Sequence, residues 1–411
     1  MFYGPWIFLI VGFFTLPFSF LTVYKNLTIS DILLAIAFLF VSLIIVPFNL
    51  RVFEQNIIHN NIFLIPVSIL GAGFFFSISN AFFPMESITA FFQIIFIFCL
   101  IFPLLTMLIN NPDTVKELMA VLLISTSLIA IAIFVFSLFN IDLTAGLFLL
   151  EKGWGGERFS FGGLEPNVPG RIVLKIIPVS CSFIFIARKR FTKILNLILI
   201  IVGMFVIINT GSRSSLLALL CGILLFPFFL KQTNPEISLT RSLLLIGILT
   251  IAAGLYFLKD VQFSGIIDRY ATIFSVKSSY SSLQRINLVE QAVEYIVQHP
   301  LFGAGFENFH FLTDEYITVH NPILAMWAEN GIFGMIGFLS IYLILVIFCI
   351  KSWQNHFFND YLLMGMAIMV ILMIIGDMFM ANSYKRILWV PSILFVHYYN
   401  LLRSKYNLKV E

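Results

Sequence analysis

The sequence predicts an all-α polytopic membrane protein of about twelve transmembrane helices, each near the length a bilayer core demands. Three observations predict it. Of 411 residues, 60% are hydrophobic and 11% charged, with 48 phenylalanines, whereas a soluble domain carries about 25% charged residues on a polar exterior. The apolar runs are about 18–22 residues long, which suits helices whose backbone groups must be satisfied without water. Most of the polar chemistry falls in two long connections between those runs.

The candidate spans lie near 5–23, 31–50, 61–79, 88–109, 118–139, 171–187, 194–210, 214–230, 242–258, 322–350, 361–380 and 387–402. The first run has no basic n-region and no small-residue cleavage site before Lys25, so it reads as a span rather than a signal peptide. Neither an internal repeat nor a separate soluble segment interrupts the series, which makes 1–411 a single transmembrane domain. Cys99, Cys181, Cys221 and Cys349 all fall inside apolar runs. They are too scattered for a metal site and too deep for a disulfide framework, and read as small core residues. The net charge of +3 gives no sign of a nucleic-acid partner.

Orientation follows from the short loops, where the positive-inside rule applies. Arg188, Lys189, Arg190 and Lys193 follow the sixth span, and Arg403, Lys405 and Lys409 follow the last. With twelve spans these clusters share one side with Arg51, Lys116 and Lys351, which puts both termini in the cytoplasm. The connections 140–170 and 259–321 then face outward.

The first external loop holds EKGWGGERFSFGGLEPNVPGR, with Arg158 inside it and Arg171 at its end. The second holds DRYATIF, then SSLQRINLVEQAVEYIVQHPLFGAGFENF. Leu283, Ile286, Val289, Ala292, Val293 and Ile296 recur there at helical spacing, so an amphipathic helix is expected, stopped by Pro300 and the Gly303/Gly305 turn. It should lie on the outer surface of the bundle and cap a cavity. In NTGSRSSLLAL, Ser212 suits an N-cap and Arg213 opens the eighth span, also at the outer face.

Of the histidines, His299, His310 and His320 fall outside, His59 and His356 in inner loops, and His397 in the last span. A hydrogen-bonded structural histidine is the ordinary reading for any of them. His320 stands apart because Asn321 and Pro322 make a helix start behind it. At about 100° per residue, Trp327, Gly331 and Gly334 follow His320 on one face, where small residues admit a helix or ligand. Glu329 falls on the opposite face, and an ionisable residue at that depth should pair within the bundle. A bracing role for it outweighs a catalytic one.

Here the chain resembles the O-antigen ligase and O-antigen polymerase superfamily of bacterial membrane glycosyltransferases. The resemblance covers roughly 155–350 and rests on TGSRSSLLAL, on the arginine heading SSLQRINLVEQAV, on HPLFGAGFENF, and on HN followed by GIFG. It implies a multi-span, GT-C-like fold with a large external loop. It also implies an undecaprenyl-diphosphate-linked oligosaccharide as donor, no cofactor, no metal, and an active site at the periplasmic face of the inner membrane. Besides the bilayer, a chain-length regulator of the same pathway would be a partner. Arg213 and Arg285 match the family's arginines and would clamp the donor diphosphate, with Arg158 a weaker candidate; for each the alternative is an arginine at headgroup level. His320 becomes the general base, with Asn321, Gly331 and Gly334 lining the helix mouth.

Polymerase and ligase differ in the acceptor, either another lipid-linked repeat or the lipid A core. Ligases often continue the glycine motif with threonines, but Met335 and Ile336 follow Gly334 here. The departure favours polymerase, with ligase as the alternative. A transporter for the same lipid-linked glycan is the non-enzymatic reading, and would call for matching broken-helix halves.

Overall fold

The computed structural model describes residues 4–18, 22–24, 27–48, 61–139, 150–153, 156–159, 167–233, 280–314, 316–354, 360–380 and 386–410. The expected span 242–258, the DRYATIF stretch, His59, His356 and most of the 140–170 connection lie outside these residues. The described chain is mostly helical, with two short antiparallel strand pairs, β1–β2 (Thr22–Tyr24, Leu27–Thr28) and β3–β4 (Leu150–Gly153, Gly156–Phe159).

Five described helices are long and apolar enough to cross a membrane: α4 (Pro84–Leu108), α5 (Pro112–Phe139), the pair α6 (Asn167–Leu174) and α7 (Ile176–Ile186), α8 (Arg190–Asn209) and α11 (Pro322–Gln354). Shorter apolar segments belong to α1 (Gly4–Thr15), α2 (Ile29–Phe48), α3 (Leu64–Ser77), α9 (Arg213–Thr233) and α12 (Tyr361–Asp377). The remaining helices are α10 (Tyr280–Gln298) and α13 (Arg386–Val410). Leu43, Ile65 and Phe75 are each 72% exposed, an outer surface that fits hydrocarbon and not water. The first helix is shorter than the run 5–23 suggested. It ends at Thr15, whose hydroxyl turns back onto the Val11 carbonyl at 2.9 Å, just ahead of Pro17.

The contacts divide the chain into two compact units, Met1–Val121 with Tyr280–Phe348 and Asp377–Glu411, and Leu122–Ser279 with Cys349–Gly376. In the first, α2 starts with a capping box. The Thr28 amide donates to the Asp31 carboxylate at 2.7 Å, and the Asp31 amide donates back to the Thr28 hydroxyl at 3.4 Å. Asp31 also pairs with Arg386, tying α2 to the start of α13. Nearly every residue of α13 from Ile387 to Tyr399 is buried, so this helix is apolar all round because it is surrounded. Trp389 packs on Phe98, Phe338 and Tyr342 at 5.3, 5.8 and 5.4 Å between ring centres. His397 bonds the Ile109 carbonyl at 2.8 Å, a structural role for that histidine. Within α4, Phe96–Ile101 is π-helical, and the buried Asn61 amide donates to the Phe98 carbonyl at 2.8 Å.

In the second unit, α6 begins at Asn167, four residues ahead of the expected span, and runs into α7 across a turn at Lys175. A Cβ on Gly170 would stand 2.8 Å from the Thr210 hydroxyl and 3.0 Å from that of Ser215, so α6 lies directly against the turn from α8 into α9.

Candidate functional site

In the first unit the site residues are held by a loop docked on a broken helix. The α10 helix closes with the His299 amide on the Tyr295 carbonyl at 2.8 Å, and Pro300 ends it. α11 is interrupted at Gly331, whose φ of 65° and ψ of −167° are not helical. The break frees two carbonyls: Ala328 accepts from the Ala304 amide at 2.9 Å and Glu329 from the Gly305 amide at 2.9 Å. In return the Pro300 carbonyl accepts from the Ile332 amide at 3.1 Å and the Trp327 indole at 3.2 Å. HPLFGAGFENF and AENGIFG are therefore one structural piece, each supplying what the other's irregular backbone lacks.

Three asparagines complete the docking, Asn308 and Asn330 buried and Asn80 exposed. The Asn308 amide donates to the Ser87 hydroxyl at 2.9 Å, and its oxygen accepts the Phe83 amide at 2.7 Å. Asn330 accepts the Ser77 hydroxyl at 3.1 Å, and Asn80 donates to the Gly303 carbonyl at 3.1 Å. The Glu329 carboxylate takes a hydrogen bond from the Glu307 backbone. The acid is buried, and the charged group beside it is the Glu307 carboxylate, a like charge.

Gly331 and Gly334 face the chain's own backbone and not open space. A Cβ on Gly331 would come within 2.0 Å of the Leu301 carbonyl oxygen, while a Cβ on Gly73 in α3 would meet the Gly334 nitrogen at 2.5 Å. The straight-helix projection that set both glycines behind His320 fails at the break, and their small size serves close packing of loop and helix.

At the mouth of α11, Asn321 is the N-cap. Its side-chain oxygen accepts the Ile323 and Leu324 amides at 3.1 and 3.0 Å, with Pro322 at the first helical position. His320 is half-buried, with Nδ1 3.2 Å from the Thr318 carbonyl. A carbonyl only accepts, so Nδ1 is the nitrogen that carries a proton in this contact. The segment before it is held by Thr313, whose hydroxyl accepts the Ile317 amide at 3.1 Å and donates to the Ile317 carbonyl at 3.0 Å.

The buried stripe of α10 is Leu288, Ala292 and Ile296, with Val289 and Tyr295 partly covered. This corrects the wider stripe read from spacing, since Leu283, Ile286 and Val293 are exposed. Ala292 and Ile296 pack with Ala304, Phe309, Val319, Ala325 and Ala328, so the helix braces the residue adjoining His320. Arg285, half-buried, falls on the same stripe seven residues before Ala292, about 10 Å along the axis at 1.5 Å per residue. The His299 ring lies tilted against Tyr295 at 4.7 Å between ring centres, and the His310 ring tilted against Phe311 at 3.9 Å. Burial pushes the His310 imidazole below its ordinary pKa, against an opposing pull from Glu86.

In the second unit, Thr210, Ser212 and Ser215 are buried around the turn that presents Arg213. Gly211 takes a φ of 58°, and the Ser212 hydroxyl meets that of Ser215 at 3.0 Å and caps the Ser215 amide at 3.4 Å. Arg213, half-buried, heads α9. Arg171 and Lys175, one turn apart and buried, are cations of this unit that spacing alone passed over. Their signal was the run GRIVLK, two charges inside an apolar helix. Arg158 lies on β4 opposite Glu151 of β3. Among the described residues, no group of three or more His, Cys, Asp or Glu gathers where it could hold a metal ion.

The motifs TGSRSS, in the second unit, and Arg285, HPLFGAGFENF and His320–Asn321, in the first, fall in a stretch that comparison with known proteins covers. Residues 195–339 match the O-antigen ligase family model. That stretch contains Arg213, Arg285, His320, Asn321, Gly331 and Gly334; Arg158, Arg171 and Lys175 precede it. The teichuronic acid biosynthesis protein TuaE of Bacillus subtilis (strain 168) is 26% identical over 189 residues. The alignment takes in 42% of this chain and 37% of that protein's length. The family resemblance read from the motifs is borne out by both.

Proposed function

We propose that the chain is an O-antigen polymerase-like glycosyltransferase. It moves an undecaprenyl-diphosphate-linked glycan onto a sugar hydroxyl of another lipid-linked repeat unit, at the external face of a bacterial inner membrane. The family match and a relative named for teichuronic acid biosynthesis support a role in polysaccharide assembly by a membrane protein. The observation that carries the chemistry is His320, set beside the N-cap of α11 with Nδ1 on a backbone carbonyl.

In this reading the acceptor oxygen attacks the anomeric carbon of the donor. The bond from that carbon to the diphosphate oxygen breaks, and the acceptor's proton passes to Nε2 of His320. The leaving diphosphate gains negative charge, which guanidinium groups match with forked hydrogen bonds and without a metal or cofactor. Arg213 and Arg285 take that role, with Arg158 a third candidate. Twelve spans in a GT-C-like arrangement, cytoplasmic termini and external loops at 140–170 and 259–321 belong to the same proposal, as does a chain-length regulator as partner.

Arg285→Lys keeps the charge and loses the fork, so kcat/KM for the lipid-linked donor should drop about 10- to 100-fold, the worth of one or two charge-assisted hydrogen bonds. Arg213→Ala should weaken donor binding comparably while the protein still inserts. Full activity in both variants would remove the clamp.

A ligase acting on lipid A core is the second reading, favoured by the description of the family whose model matches. Surface polysaccharide from a deletion strain separates the two. Core carrying only single repeats supports polymerase, whereas accumulated lipid-linked polymer supports ligase.

A further inference from the structure

The apolar arc of α10 is wider than the face its own chain covers. At about 100° per residue, Leu288, Ala292 and Ile296 centre the buried sector. Asn287, Glu290, Gln291, Glu294 and Gln298 fill the opposite sector, where Gln291 donates to Asp314 at 3.0 Å among exposed groups. A third sector lies on one flank between them. Ile286, Val293 and Val297 fall there within about 40° of one another, all exposed, Val297 to 74%. Leu283, also exposed, falls on the polar side and takes no part.

Past the end of the helix, Leu301 and Phe302, the fourth and fifth residues after Val297, are exposed as well. The Phe302 ring lies 5.5 Å from Phe76 at the end of α3, and Phe76 lies 5.9 Å from Phe333 of α11. Phe333 is exposed on α11, which is long and apolar enough to cross a membrane, and Phe76 is exposed on the shorter apolar helix α3, an outward apolar surface of the kind hydrocarbon covers. A helix with one face on protein, one on water and a narrow apolar flank beside such a surface has the form of an interfacial helix.

We infer that α10 lies at the membrane edge with the Ile286–Val293–Val297 flank sunk into the acyl–headgroup boundary of the leaflet next to the start of α11. The occupant of that flank is phospholipid. The immersion fixes the height of α10, and with it Arg285, relative to the bilayer surface. It rests on the placement of apolar side chains and is independent of the reaction proposed above.

The test is photo-crosslinking of the full chain in vesicles of phosphatidylethanolamine and phosphatidylglycerol carrying a tagged phospholipid. A p-benzoylphenylalanine is encoded in turn at Val293, Val297 and Glu294. Tagged lipid should join the protein at positions 293 and 297 with yields several-fold above that at 294. Equal yields at the three positions would mean the flank faces water and would overturn the inference. Covalent dimers at 293 and 297 in place of lipid adducts would assign the flank to a second copy of the chain and overturn it equally. Two flank positions are used so that one poorly inserted variant leaves the comparison with 294 intact.

Discussion

Replacing His320 by alanine should lower glycan transfer by roughly 10²–10⁴-fold, the usual contribution of general acid–base assistance, while the protein still folds and inserts. The side chain is half-buried at the end of an irregular segment, and its removal leaves the core contacts of Val319 and the N-cap bonds of Asn321 in place. The loss should therefore appear in turnover and not in the thermal midpoint. Purified protein, lipid-linked repeat and a chelator in the buffer make the assay, with His299→Ala as the control. His299 is exposed at the end of α10, and its change should be mild. A His320→Ala variant within a fewfold of wild type would remove the proposed base.

Gly331→Ala should cost the most in stability. The backbone there has a φ of 65° and a ψ of −167°, and an added Cβ would stand 2.0 Å from the Leu301 carbonyl oxygen. The nearest atoms, the Leu301 carbonyl and the Phe302 nitrogen, are backbone and cannot swing away as a side chain would. A non-glycine residue in such a conformation costs about 1–3 kcal/mol before any clash, and relief of the clash means lifting 300–306 from the broken helix. Several mutually dependent hydrogen bonds would go with it. The thermal midpoint in detergent should fall by several degrees or more, about 2–4 °C for each kcal/mol in a domain of 150–250 residues. Gly4→Ala is the control, since a Cβ there meets nothing within 4 Å. A Gly331→Ala protein as stable as that control would contradict the docked-loop architecture.

The features legible in the sequence were those carried by local chemistry. Asn321–Pro322 read as a helix start because a side-chain acceptor and a missing donor both suit that position, and α11 begins there. Pro300 read as the stop of α10, which ends at Gln298. The break at Gly331 was not legible, because a glycine in an apolar run looks the same whether it packs closely or turns the backbone to positive φ. That single dihedral moved Gly334 off the face assigned to it and explains why HPLFGAGFENF docks on AENGIFG. The burial of α10 misread for a related reason. Its apolar residues span two sectors, and spacing alone does not separate protein-facing from outward-facing ones. Asn308 and Asn330 are fully buried, and their value lies in partners more than two hundred residues away in sequence, Ser87 and Ser77. Arg171 and Lys175 stand as two charges in the apolar run GRIVLK, yet that run does not say what buries them; Arg171 Nε lies 3.9 Å from where a Cβ on Gly376 of α12 would stand.

The central claim is that His320 accepts a proton, and His320→Gln tests it most directly. Glutamine keeps hydrogen bonding at nearly the same reach and removes the basic nitrogen. The measurement is kcat/KM against pH for wild type and His320→Gln with the same lipid-linked donor and acceptor. If His320 is the base, the wild-type rate falls on acidification as the imidazole takes up a proton. The account also predicts a Gln variant nearly as slow as Ala, without that limb. A Gln variant that retains substantial activity and the wild-type pH profile would mean His320 only orients the acceptor, and would contradict the account.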